Sequence, residues 1–221
     1  MDAAKVQLSK EELALVSDPG WILTKNSIMG RAVALFAELS GEMQRAASFK
    51  LQAASVWEAI SSELRAASQG LDKWPANWDT PKISKGENYL GLPYVMLDYP
   101  RLFTREHVLA IRTMFWWGHY FSVTLHLKGR MQEMFLPVIQ RHTQELADAG
   151  FHIAISEDEW RHEVEGDNYR PLEEATSFKL LAASEGRPFL KLSATCGLDK
   201  WNKAPEILMG LYKVLINALS E

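Results

Sequence analysis

The chain has 221 residues, 47% apolar and 24% charged, with a formal net charge of −4. This composition suits a globular domain that folds without disulfides or metal, and it argues against disorder. The 24 basic residues are scattered among 28 acidic ones, so no basic field calls for nucleic acid as a partner.

A single cysteine, Cys196, excludes an internal disulfide framework and fits a reducing compartment. The opening stretch MDAAKVQLSKEELALV carries acids and no apolar run of signal-peptide length, so a cytoplasmic location is expected. The apolar stretches at 33–39 and 207–219 are too short and too interrupted to span a bilayer, and no membrane association is expected.

Ser9 followed by Glu12 is a capping-box pattern and predicts a short helix from Lys10 to about Val16, ended by a turn at Asp18-Pro19-Gly20. Between residues 22 and 46, Ile28, Ala32, Leu35, Phe36 and Leu39 recur at helical spacing, and 49–67 repeats that spacing. The two predict a helical hairpin or one long helix interrupted near Gly41. Residues 70–93, rich in Gly, Pro and Trp, read as an ordered loop or a set of short extended pieces. Residues 94–99 predict a strand, placed at an edge because Pro93 and Pro100 flank it.

Helix is predicted for 105–115, with Thr104 as its cap and Gly118 as its end. The segment 119–128 alternates cleanly and predicts a strand: Phe121, Val123, Leu125 and Leu127 share one face, Tyr120, Ser122, Thr124, His126 and Lys128 the other. A helix follows over 130–149, stopped by Gly150, then a short strand at 151–155 and an acidic helical turn opening at Ser156. Residues 177–183 and 189–195 predict a hairpin around EGRP, and Pro205 opens a final amphipathic helix through Leu219. The expected fold is one α+β domain over residues 1–221, with N-terminal helices packed on an antiparallel sheet and a C-terminal helix. SFKLQAAS at 48–55 recurs as SFKLLAAS at 177–184, and GLDKW at 70–74 recurs at 197–201. A duplicated unit and coincidence both fit; coincidence is favoured, because a repeat should keep its secondary structure.

The densest set of functional side-chain types lies between residues 82 and 128. PKISKGENYLGLPYVMLDYPR, with IRTMFWWG after it, resembles an uncharacterised family of bacterial proteins, a resemblance that implies no activity and no catalytic residue.

The residues themselves point to a polar cleft for a small polar or anionic ligand, with Lys82, Lys85, Glu87, Asn88, Tyr89, Asp98, Arg101 and His126 as its candidate contacts. In this reading residues 82–92 form a loop lying against the sheet end near Arg101 and His126: the lysines meet an anion, Asn88 hydrogen-bonds, Tyr89 is a lid, and Gly86 and Gly91 supply unusual backbone angles. The polar face of 119–128 can join Lys191, Ser193 and Thr195, which alternate outward. The competing reading is a solvated sheet face, with the loop merely covering an edge.

Catalysis lacks a motif. There is no nucleophile elbow or phosphate loop, and Cys196 reads as a small buried hydrophobe. Glu159-x-x-His162 has half of a di-iron spacing and no second half, so neither a metal nor another cofactor is indicated. A non-catalytic binding or interaction protein is the first reading. An enzyme using Asp98, Arg101, Arg112 or His126, and a structural partner protein marked by an exposed apolar patch, are the alternatives. A homodimer is left open. Trp116-Trp117 is expected to bury at least one indole in the main core rather than to stack a ligand.

Overall fold

The computed structural model describes residues 6–53, 62, 77–172 and 187–220. Helix α1, Lys10–Ser17, begins with the expected capping box: Ser9 Oγ accepts from Glu12 N at 3.1 Å and Glu12 Oε2 accepts from Ser9 N at 2.7 Å. Asp18 does not open a loop. Its Oδ1 accepts from Gly20 N at 2.8 Å, and helix α2, Pro19–Ala53, starts at once. Proline at the first helical position suits this restart, since its missing N–H would have no partner there anyway. The helix runs through Gly41 without a break. Leu39 and Met43 are both buried, and their packing outweighs the glycine's cost of about 1 kcal/mol. Whether a second helix pairs with it lies outside the described residues.

Among the described residues seven antiparallel strands form one sheet: β1, Lys82–Tyr89; β2, Leu92–Phe103; β3, Val108–Trp116; β4, Tyr120–Lys128; β5, His152–Ala154; β6, Tyr169–Pro171; and β7, Phe189–Gly197, in the order β1-β2-β3-β4-β7-β5-β6. Helices α3, Arg130–Arg141, and α4, Thr143–Asp148, follow β4. A 3-10 turn, Leu198–Lys203, leads from β7 into the closing helix α5, Ala204–Ser220. The α+β architecture is the one expected from the sequence. One sheet face, carrying Val95, Leu97, Ile111, Phe121, Val123, Leu125, Leu127, Leu190 and Leu192, packs with Phe36, Met43, Phe135, Tyr212 and Leu215 into a single apolar core.

Several elements differ from the sequence reading. Residues 82–89 are a strand, paired with β2 through a tight turn at Leu90-Gly91, whose φ angles are 51° and 84°. Gly86 is needed for a different reason than its backbone angle: a Cβ there would stand 2.5 Å from the Tyr94 ring. Strand β2 is interior, not an edge. Pro100 is tolerated because it sits where the register with β3 shifts, between Asp98 and Arg101.

Residues 108–116 are β3, not helix. Both faces of this strand are buried, so VLAIRTMFW shows no alternation and its period is ambiguous. Thr104 does cap, but it closes the β2–β3 hairpin by accepting from His107 N at 2.9 Å. The helix expected over 130–149 is broken at His142. The acidic segment from Ser156 is not helical either: Ser156 Oγ accepts from Asp158 N at 3.1 Å and Asp158 Oδ1 from Trp160 N at 2.8 Å. Short polar side chains here capture the amides a helix would have used. The expected strand at 177–183, its hairpin and the SFKL echo lie outside the described residues, as does the first GLDKW.

Candidate polar site on the second sheet face

Strand registry lays the residues of the second face in rows across β2, β3, β4 and β7. Asp98, Arg112, Thr124 and Ser193 form one row, with His126 and Lys191 beside it on β4 and β7. At one end of the face Tyr94, Met96, Met114, Trp116 and Tyr120 make a small apolar and aromatic cluster. The alternation that puts Phe121, Val123, Leu125 and Leu127 into the core delivers Ser122, Thr124 and His126 to this side. This face is not solvated: Asp98, Ser122, Thr124, His126, Lys191 and Ser193 are all buried.

The cover is the irregular segment 155–168, and sheet side chains fasten much of it. Lys191 Nζ donates to the carbonyl oxygens of Glu159 at 2.9 Å and Arg161 at 2.6 Å. Lys128 Nζ donates to Glu159 Oε1 at 2.6 Å. The Tyr89 hydroxyl accepts from His162 N at 2.6 Å and donates to Glu163, which also takes the Arg161 guanidinium. Tyr120 accepts from Val164 N at 2.6 Å, and Arg187 donates to the carbonyls of Ala154, Ile155 and Ser156.

Arg112 is at the centre. It grips Asp98 with two bonds, 2.7 Å from Nε and 2.9 Å from NH2, and its NH1 lies 3.0 Å from His162 Nε2. A guanidinium only donates, so Nε2 is the acceptor and His162 carries its proton on Nδ1. Burial, then the charges of Arg112 and Lys191, push the His162 pKa down to about 2. His126 is pushed down to about 3, by burial first and then by Lys191, Arg112 and Lys128. Its Nε2 stands 3.1 Å from Glu159 Oε2 at an angle too poor for a hydrogen bond, which leaves both atoms without one.

Lys191 is 3% exposed, and burial, followed by Arg112, lowers its pKa to about 7 against the upward pull of Asp158, Glu163 and Glu159. Burial and Glu163 raise Tyr89 well above the usual phenol range. Glu163 is held low despite burial, because Tyr89, its own amide and Arg161 hydrogen-bond it.

Three of the eight residues singled out from the sequence meet here: Tyr89, Asp98 and His126. The other five stand apart. Lys82 shares the face with Asp98, its register partner, but is exposed on the edge strand. Lys85 pairs with Val95 on the helix-covered side, and Glu87 is ion-paired with Lys25 of α2. Asn88 caps the turn by accepting from Gly91 N at 3.0 Å. Arg101 holds Thr80 O at 2.7 Å. Residues 82–92 are therefore no loop against the Arg101 and His126 end of the sheet. They are an edge strand and its turn, and only Tyr89 reaches across.

Tyr120, Lys191 and Ser193 join the face as the strand alternation implied, but Glu159, His162 and Glu163 were not singled out for it. The signal that could have found three of them is the string DEWRHE at 158–163, dense in ionisable types and without period. Trp116 is buried in the aromatic cluster on this face, while Trp117 is half-buried against the main core.

Replacing buried ion pairs with apolar residues is often neutral or stabilising, so a cluster of this size is weak evidence of stability and stronger evidence of a site. Among the described residues no three His, Cys, Asp or Glu side chains are placed to hold a metal ion, and no helix is long and apolar enough to cross a membrane. No family model, no curated protein and no solved structure matches the chain.

Proposed function

We propose that the protein is a non-catalytic, cytoplasmic binding protein for a small anionic ligand, received on the polar sheet face between Arg112 and Lys191 when segment 155–168 lifts. The observation that carries this reading is the environment of the Lys191 ammonium. It is buried, yet among the described residues the only acceptors within hydrogen-bonding distance are two main-chain carbonyls of the cover, with no carboxylate bonded to it. A carboxylate or phosphate in their place would give the lysine a counter-charge, which a buried ammonium otherwise lacks. Arg112 turns its third nitrogen to a neutral imidazole, which an anion can displace in the same way. The test is thermal denaturation against inorganic phosphate and a panel of small carboxylates. An anion at about 100 times its dissociation constant stabilises by about 2.7 kcal/mol. Binding should be lost in Lys191→Met. If no anion raises the midpoint of the wild-type protein, the reading fails.

A second reading, an enzyme, is favoured by the same lysine. An amine that titrates near pH 7 and lies beside a histidine pair is suited to act as a base or nucleophile. Turnover of a bound anion, with a rate that follows one ionisation near pH 7 and vanishes in Lys191→Met, would decide for it over simple binding.

A further inference from the structure

Helix α1 buries none of its residues. Val6, Leu8, Leu13, Leu15, Val16, Trp21 and Leu23 are between 49% and 74% exposed and make up seven of the nine large apolar side chains exposed among the described residues. An isolated helix of eight residues is not stable in water, and a capping box adds too little to make it so. Among the described residues α1 has little to hold. Trp21 Nε1 donates to Leu15 O at 2.9 Å, and no apolar side chain of α1 reaches the core.

Directly after Trp21 along α2 lies an open groove of 430 Å³, lined by Thr24, Ser27, Ile28, Arg31 and Trp201. Trp201 makes its floor, wedged edge-on against Phe115 and tilted against Phe121 at ring separations of 5.4 and 5.1 Å. Arg31 gives the groove lining a cation, and Lys200 and Lys203 are exposed along the chain on either side of Trp201, with Asp199 next to Lys200; the first turn of α1 carries Lys10, Glu11 and Glu12, and Glu12 is taken by the capping box.

We propose that α1 of a second copy of this chain docks in this groove, and that the protein is a two-fold symmetric dimer. The order of the elements fits such an interface. In an isologous contact residue i meets j while j meets i, so complementary features belong at the two ends and self-contacting ones at the axis. Here an apolar helix carrying Glu11 stands at one end and an apolar groove lined by Arg31 at the other, with Trp21 and Leu23 between them. Reciprocal docking covers both apolar sets twice and pairs Glu11 of each copy with Arg31 of the other.

The experiment is sedimentation equilibrium of the full chain, with charge reversal. Wild type should carry the mass of two chains at about 100 µM, within reach of an interface of ordinary size. Glu11→Arg alone and Arg31→Glu alone should each weaken association about tenfold or more, and the double reversal should restore it. Leu13→Asp should give monomer with unchanged circular dichroism. A wild-type chain that stays monomeric overturns the proposal, and so does a dimer indifferent to Leu13→Asp or to both reversals.

Discussion

Asp98 and Arg112 stand opposite each other in the β2–β3 register, and the guanidinium holds the carboxylate with two bonds of 2.7 and 2.9 Å. The pair anchors the polar row, because the same guanidinium meets His162 of the covering segment. Asp98→Asn leaves that cation without its counter-charge. Removing one partner of a buried pair costs about 3–5 kcal/mol, and the exposed edge of Arg112 places this site at the lower end. Urea denaturation should show a loss of about 3 kcal/mol with an unchanged slope. A loss below about 1 kcal/mol would mean that water already solvates the guanidinium.

Lys191→Met keeps most of the side chain's volume and removes the two bonds to the cover. Amide exchange in 155–168 should accelerate while β4 and β7 stay protected, because their ladder does not depend on the ammonium. Global stability should change little or rise, since a lysine whose pKa is lowered from 10.5 to about 7 makes folding at neutral pH work against a protonation that the unfolded chain keeps. Equal acceleration across β7 would show that the ammonium supports the sheet rather than the cover.

The two buried histidines set an acid limb. Their folded pKa values lie below 6.5, so below pH 6.5 the unfolded chain binds protons that the native chain refuses. The histidines' contribution is full above 6.5 and falls as pH drops toward about 3, with each histidine giving a slope of up to about 1.4 kcal/mol per pH unit. Glu163, held below its ordinary value, adds a loss of the same sign at the acid end. His162→Gln keeps an acceptor for Arg112 but cannot titrate, so its midpoint should depend on pH less steeply than wild type between pH 6 and 4. Identical profiles would mean that His162 takes up its proton alike in the native and the unfolded chain.

Gly86→Ala pushes a methyl to 2.5 Å from the Tyr94 ring, in the strand pair that carries Tyr89. Overpacking of this kind costs about 1–3 kcal/mol. Thermal unfolding should show the loss, and Tyr94→Ala in the same chain should recover part of it relative to Tyr94→Ala alone. Additive effects would place the strain elsewhere.

Trp116→Ala should destabilise by about 3–5 kcal/mol and Trp117→Ala by clearly less, because only the first indole is buried. Chemical denaturation of the two variants gives the comparison; an unchanged midpoint for Trp116→Ala would show that its aromatic cluster is not part of the cooperative fold.

How far the sequence reaches differs from element to element, for identifiable reasons. The capping box at Ser9 and the alternation from Tyr120 to Lys128 are local signals, and local geometry decided both elements. The antiparallel sheet, the closing helix and the shared polar face of β4 that carries His126 were therefore legible. Strand β3 was not, because a strand buried on both faces carries no period, and its second face is covered by a segment far along the chain. Nor could the sequence show that 156–159 is irregular, since acids at a helix start and Asx turns use the same residues.

The site itself belongs to the tertiary structure. Lys191 reads as an outward-facing strand lysine, as its position in the alternation requires. It is buried only because residues 155–168 fold over that face, a contact between segments some thirty residues apart along the chain. Burial is also what pulls its pKa down, along with those of His126 and His162. The sequence by itself determined which side chains share a face, because strand geometry alternates with a period of two. What solvates or covers that face depends on long-range packing, and only the tertiary structure decided it.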